Sequence, residues 1–104
     1  ECQALNVPVM SINSGADVAK DLGLIHHISQ LETTAGYLAG KRMLALGMKA
    51  GICLRNEAGN VAWTERCHGF ESAINEEASS KEMLTNVTYI GMLDIPNDRR
   101  SLYV

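Results

Sequence analysis

A single arginine, Arg66, lies near the start of a predicted helix and is well placed to bind a polar ligand. The segment from Asn56 to Phe70 predicts a loop that leaves a buried strand, turns at Gly59 and enters that helix. In open α/β sheets, ligands collect beyond the carboxyl ends of the strands, where helix N-termini also point. Arg66 is therefore a candidate ligand contact, and the alternative is an ordinary surface arginine.

A second polar segment, Asn13-Ser14-Gly15, follows the apolar run Val7–Ile12. Near-continuous apolarity predicts a parallel strand that is buried on both faces. The polar residues then lie at its carboxyl end, where such sheets place ligand contacts. A plain turn is the alternative, because asparagine, serine and glycine are all turn residues.

Other reactive residue types are present without the spacing that chemistry requires. His26 and His27 are adjacent on a predicted strand and would point to opposite faces, so we expect no metal site. Cys67 and His68 are neighbours on a helix, about 100° apart, and cannot form a thiol–imidazole pair. The sequence has no nucleophile elbow and no phosphate-binding glycine loop. We expect neither catalysis nor a cofactor.

Length and composition indicate one small globular domain. The chain has 104 residues and a net charge of −3, and no basic stripe that would indicate nucleic-acid binding. It has no apolar run of about 20 residues, which a membrane span needs, and no signal-peptide pattern at its N-terminus. The cysteines are odd in number and lack CxxC spacing, so free thiols are predicted at Cys2, Cys53 and Cys67.

Strands and helices are predicted to alternate, which is typical of a parallel Rossmann-like sheet with flanking helices. A solvated helix end and loop is expected over 76–86, a turn over 94–98, and the start of a further element over 99–104. The predicted strands are Val7–Ile12, Leu24–Ile28, Lys49–Leu54 and Val87–Leu93, and the predicted helices are Ser14–Leu22, Ser29–Leu46 and Asn60–Glu76.

The long helix carries the clearest local signals. Ser29 and Glu32 fit a capping box, and Gly47 is expected to close the helix. Gly36 and Gly40 lie on one side of it and predict a close helix contact, because glycine costs about 1 kcal/mol in a helix unless packing compensates. Apolar residues recur at steps of three and four. They are Leu31, Ala35, Leu38, Ala39, Met43 and Leu46.

Three segments together resemble the type 1 periplasmic binding proteins, the sugar-binding proteins of ABC transporters, which are related to the effector domains of lac-repressor-type regulators. The segments are Val7–Gly15, Ala35–Gly40 and Glu65–Phe70. Members of that family are much longer and bind sugar between two lobes. The resemblance implies a fragment, with residues 1–27 forming the last strand and helix of the first lobe, and residues 28–104 forming the first half of the second.

The resemblance also implies site residues. Arg66 matches an arginine that frequently contacts sugar, and Asn56 and Asn60 in the preceding loop are adjacent candidates. Asn13 and Ser14 stand where the family often has an acidic residue followed by arginine. This departure removes a charged clamp on sugar hydroxyls and leaves the ligand class open.

The implied function is binding of a sugar or similar small polar ligand, with an ABC transporter permease as partner. The alternatives are the effector domain of a transcription regulator, and a truncated product that self-associates through exposed edges as a homo-oligomer without ligand. The resemblance implies a periplasmic or extracellular location, although free cysteines would also suit the cytoplasm.

Overall fold

The chain forms two compact units, Glu1–Leu31 and Glu32–Val104. The computed structural model describes residues 3–16, 18–57, 59–80 and 86–95. Residues 81–85 of the helix end and loop expected over 76–86 lie outside the described residues. So do most of the turn expected over 94–98 and the segment 99–104. Among the described helices, none is long and apolar enough to cross a membrane. The division of residues 1–27 and 28–104 between two lobes stays a prediction.

The first unit contains two short parallel strands. A 3-10 helix at Gln3–Leu5 precedes β1 (Met10–Ile12), which pairs with β2 (His26–Ile28). Both strands are shorter than predicted, although one further backbone hydrogen bond extends the pairing at each end, from Ile25 to Val9 and from Asn13 to Ile28, each 3.0 Å. Met10 and Ile12 are exposed, so the prediction of a strand buried on both faces is wrong for β1.

The segment between these strands is a series of turns, and the predicted helix over Ser14–Leu22 is wrong. Among the described residues of this segment, one i→i+4 hydrogen bond forms, from the Leu22 amide to the Val18 carbonyl at 3.0 Å. Ala19 is buried, but Val18 and Leu22 are exposed. An isolated helical turn is marginal unless an apolar face packs against something, and here too little apolar surface is covered.

The second unit is a layered α/β arrangement with parallel strands, as the sequence predicted. Its elements are α1 (Glu32–Ala45), β3 (Ala50–Arg55), α2 (Val61–Ser79) and β4 (Thr88–Asp94). Strands β3 and β4 are parallel neighbours, and their register shifts at Gly51/Ile52, which leaves Ile90 as an extra residue on β4. The next residue, Gly91, has φ of +140°, a conformation that side-chain-bearing residues rarely adopt.

Helix α2 forms the centre of this unit, because it packs against β3, β4 and α1. Cys67, Ala73 and Ile74 are fully buried along its seam, close to the predicted apolar face. Phe70 meets Tyr89 edge to face, with ring centroids 6.3 Å apart. Several apolar side chains of this sheet are nevertheless exposed, so β3 is less buried than predicted. They are Ile52, Leu54, Ile90 and Leu93.

Helix α1 buries its glycines and exposes Leu38. Gly36 and Gly40 are buried, which confirms the predicted close contact, whereas the side chain of Leu38 is 60% exposed. The helix begins at Glu32, so the capping box predicted from Ser29 is wrong. The termination at Gly47 is confirmed by its φ of +88°. Contact through small residues brings two helix backbones together and leaves the longer side chains outside.

A disulfide joins Cys53 on β3 to Cys67 on α2, and the prediction of free thiols at these two positions is wrong. Their Cα atoms are 5.6 Å apart, within the range that a disulfide spans. The two cysteines are separated by 14 residues in sequence and meet only because α2 packs on β3. Their sequence spacing therefore carries no signal of the pairing.

Candidate functional site

The loop before α2 is shaped by Gly59 and Asn60. Gly59 has φ of +87°, which confirms the predicted turn at this residue. Asn60 is the N-cap of α2, and its Oδ1 accepts a hydrogen bond from the Ala62 amide at 3.1 Å. Its Nδ2 donates to the Glu57 carboxylate at 2.9 Å. The side-chain amide of Asn60 therefore caps the start of the helix that carries Arg66.

Arg66, in the second turn of α2, forms a two-pronged ion pair with Glu32, the first residue of α1. Its Nε and Nη2 donate to the two carboxylate oxygens, and the Nη2–Oε1 distance is 3.1 Å. The Glu32 side chain is 6% exposed and that of Arg66 is 34% exposed. The pair thus consists of a buried carboxylate and an arginine that still reaches the surface.

Trp63 lies against the same guanidinium, whose central carbon is 5.1 Å from the ring centroid. This is a cation–π contact, which restricts the guanidinium to one orientation. The hydrogen bond to Glu32 raises the pKa of Arg66 above its usual value, so the cation persists at any physiological pH. Among the described residues, Nη1 has no hydrogen-bond partner, which leaves donors for a ligand.

Close helix packing holds the Arg66–Glu32 pair in place. A Cβ atom added at Gly36 would collide with the backbone carbonyl of Arg66, and one added at Gly69 would collide with that of Thr33. Only glycine permits this approach. Because Glu32 lies one turn before Gly36 on the same face of α1, the crossing of the helices places its carboxylate beside Arg66.

The remaining candidate residues are placed differently. Asn13 has φ of +79° and is exposed together with Ser14, and both belong to the first unit. Asn56 is exposed in the bend after β3, in the same unit as Asn60 and Arg66. A ligand role for any of these five residues stays a prediction.

Two polar arrangements escaped the sequence reasoning. Arg55 and Asp94 end the paired strands β3 and β4 and form an ion pair with N–O distances of 2.7 and 2.9 Å. The Arg55 Nη1 also donates to Thr64 on α2 at 2.9 Å. The signal was available, because adjacent parallel strands end together. Glu32 was missed because the capping-box interpretation gave it another partner.

No group of three histidine, cysteine or acidic side chains that could hold a metal ion occurs within residues 3–16, 18–57, 59–80 and 86–95. Cys67 is bonded to Cys53, so it has no thiolate to act as a nucleophile. The described part of the site offers hydrogen-bond donors and an aromatic face.

No protein-family model and no curated protein matches this sequence. Three solved chains resemble its fold, including the following two. A periplasmic sugar-binding protein of an ABC sugar transporter from Legionella pneumophila superimposes with a TM-score of 0.79 at 16% identity, over 97% of this chain and 34% of that one. The XylFII molecule superimposes with a TM-score of 0.67 at 20% identity, over 88% of this chain and 31% of that one.

These likenesses show the fold: the chain has the mixed α/β architecture of one part of a periplasmic-binding-protein-like structure. The chain spans about a third of the length of the solved structures that it matches.

Proposed function

We propose that this chain contributes to binding a sugar or similar small polar ligand within a periplasmic-binding-protein-like module, with an ABC transporter permease as partner. The observation that carries the proposal is the geometry of Arg66. Its guanidinium is oriented by Glu32 and Trp63, and its Nη1 donors have no partner in the described part of the chain. Preorganised donors of this kind bind hydroxyl oxygens at a low cost in entropy.

Binding of this type needs no bond-making step. The guanidinium donates to ligand oxygens, and the ligand is released unchanged when the contacts open. In a two-lobed module, closure around the ligand would report occupancy to the permease. The fold of the Legionella sugar-binding protein supports this proposal.

The Cys53–Cys67 disulfide supports an exported location. Disulfides persist in the periplasm and outside the cell, and are rare in the reducing cytoplasm. We therefore favour the transporter-linked function over that of a cytoplasmic regulator.

Ligand titration with a fluorescence readout tests the proposal. Trp63 is the only tryptophan of the chain and lies against Arg66, so its emission reports on the site directly. Pentoses, hexoses and polyols are titrated, with thermal shift as a second readout. We expect saturable binding by at least one class, and the absence of any response would refute the proposal.

Arg66→Lys examines the residue itself. Lysine keeps the charge beside Glu32 but loses the planar fork, so we expect affinity to fall about tenfold or more. Arg42→Lys, at an exposed position near the end of α1, is the matched control and leaves affinity unchanged. Equal affinity of Arg66→Lys and the native chain would rule out a ligand contact by Arg66.

A further inference from the structure

We propose that Glu32 makes the Arg66 site selective for uncharged ligands, so that it accepts neutral sugars and rejects the corresponding sugar acids. This inference rests on the proposed function and adds the ligand's charge class to it. The inference follows from the hydrogen-bond partners of the Arg66 guanidinium and from the burial of the Glu32 carboxylate.

An unpaired arginine prefers anions, because its planar fork matches the two oxygens of a carboxylate. Here Glu32 already occupies the side-on fork through Nε and Nη2. A ligand carboxylate cannot use that fork and is left with the outer donors on Nη1 and the second N–H of Nη2. These donors belong to a guanidinium that Glu32 has already neutralised. Those donors suit single hydroxyl or ring oxygens equally well.

The charge of Arg66 is also cancelled locally. Since Glu32 and Arg66 carry opposite unit charges in direct contact, the pair has no net charge. A ligand carboxylate bound at Nη1 would lie within roughly 6 Å of the Glu32 carboxylate, a distance at which like charges repel measurably. A neutral ligand meets no such repulsion.

Glu32 is held where it can exert this effect. Its side chain is 6% exposed, and it begins α1, where the helix dipole stabilises a negative charge. The contact of Gly36 with the Arg66 backbone holds α1 against α2 at this point. An incoming anion cannot readily displace Glu32, because a buried carboxylate without its partner is costly.

The experiment compares neutral sugars with their acids in the native chain, in Glu32→Gln, and in a control. The probe pairs are glucose with glucuronate and galactose with galacturonate, titrated by Trp63 fluorescence at constant ionic strength. Glu77→Gln is the control: it removes the same charge farther along α2, where Glu77 pairs with Lys41 at 3.6 Å.

We expect the native chain and Glu77→Gln to bind the neutral sugar about tenfold or more tightly than its acid. Glu32→Gln should shift this ratio about tenfold toward the acid, because the guanidinium regains a net charge. The double variant Glu32→Gln/Arg66→Gln has no charge at the site and should lose that gain. A role of Glu32 in stability alone predicts none of these changes in preference.

Two results would overturn the inference alone: a native chain that binds the acid more tightly than the neutral sugar, or the same discrimination in Glu32→Gln and Glu77→Gln. The first needs no variant, so it applies even if Glu32→Gln fails to fold. A native chain that binds neither member of any pair overturns the proposed function and this inference with it.

Discussion

At the scale of single residues, the Cys53–Cys67 disulfide is expected to contribute much of the stability of the second unit. Closing a loop of about 15 residues stabilises a fold by about 3 kcal/mol, mainly through the unfolded chain. We therefore predict that a reductant lowers the free energy of unfolding of a Cys2→Ser variant by about that amount. Urea denaturation with and without reductant measures the difference.

The control for this prediction is the triple variant in which Cys2, Cys53 and Cys67 are all serine. Its free energy of unfolding should not respond to reductant. If the Cys2→Ser variant proves equally insensitive, the disulfide does not stabilise the native state.

Asn60 can be assigned to capping or to ligand binding by a pair of substitutions. Asn60→Ala removes the acceptor for the Ala62 amide and should cost about 1 kcal/mol of stability. Asn60→Ser keeps a capping oxygen without placing a second carboxylate beside Glu57, and should be nearly neutral. Urea denaturation measures stability and sugar titration measures affinity. A large loss of affinity in Asn60→Ser, with stability unchanged, would instead make Asn60 a ligand contact.

At the scale of elements, the crossing of α1 and α2 depends on Gly36. Alanine favours a helix by about 1 kcal/mol, yet its Cβ would collide with the Arg66 carbonyl. We predict that Gly36→Ala lowers the melting temperature strongly, with a loss of about 3 kcal/mol or failure to fold, because the helices must move apart.

The matched control is Thr34→Ala, two residues before Gly36, since Thr34 is exposed on the same helix. It should be neutral or slightly stabilising, because alanine is the better helix former. A Gly36→Ala variant as stable as Thr34→Ala would contradict the close packing of α1 and α2.

The leucines of α1 show why periodicity misidentified its buried face. Leu38, and Leu46 just beyond the end of α1, recur at helical spacing, as the residues of a buried stripe do. The face that meets α2 is instead the glycine face, Gly36 and Gly40. A glycine contact gains stability from close backbone approach, which a pattern of hydrophobicity does not register.

At the scale of the whole molecule, exposed apolar side chains on the β3–β4 sheet make self-association the expected behaviour of this chain in solution. Ile52, Leu54, Ile90 and Leu93 are 45–65% exposed on neighbouring parallel strands. Such apolar surface favours association. We predict concentration-dependent oligomers by light scattering, and that Ile52→Thr/Ile90→Thr reduces them while keeping strand propensity.

Leu46→Gln, which removes an exposed leucine at the end of α1, is the control. It should leave the oligomers largely unchanged if they form through the sheet. A strictly monomeric native chain at all concentrations would contradict this prediction of homo-oligomers.

The sequence by itself determined the order of most elements, the parallel α/β class and the glycines at which helices start and end. Gly59 and Gly47 mark the start and end of helices because only glycine tolerates their positive φ values easily. The buried face of α2 could be predicted because its apolar residues recur at helical spacing and the helix follows a strand. Local signals of this kind depend on neighbours in sequence, so they can be read without the fold.

Only the tertiary structure determined which residues form long-range pairs. Cys53 meets Cys67, and Glu32 meets Arg66, although 14 and 34 residues separate the partners. The sequence assigned Glu32 to a capping box with Ser29, because that motif is local. Its ion-pair partner in the structure, Arg66, lies on another helix. Long-range contacts depend on how closely two backbones can approach. Here glycines set the distance between the helices, and because they have no side chain they do not appear in a pattern of hydrophobic residues.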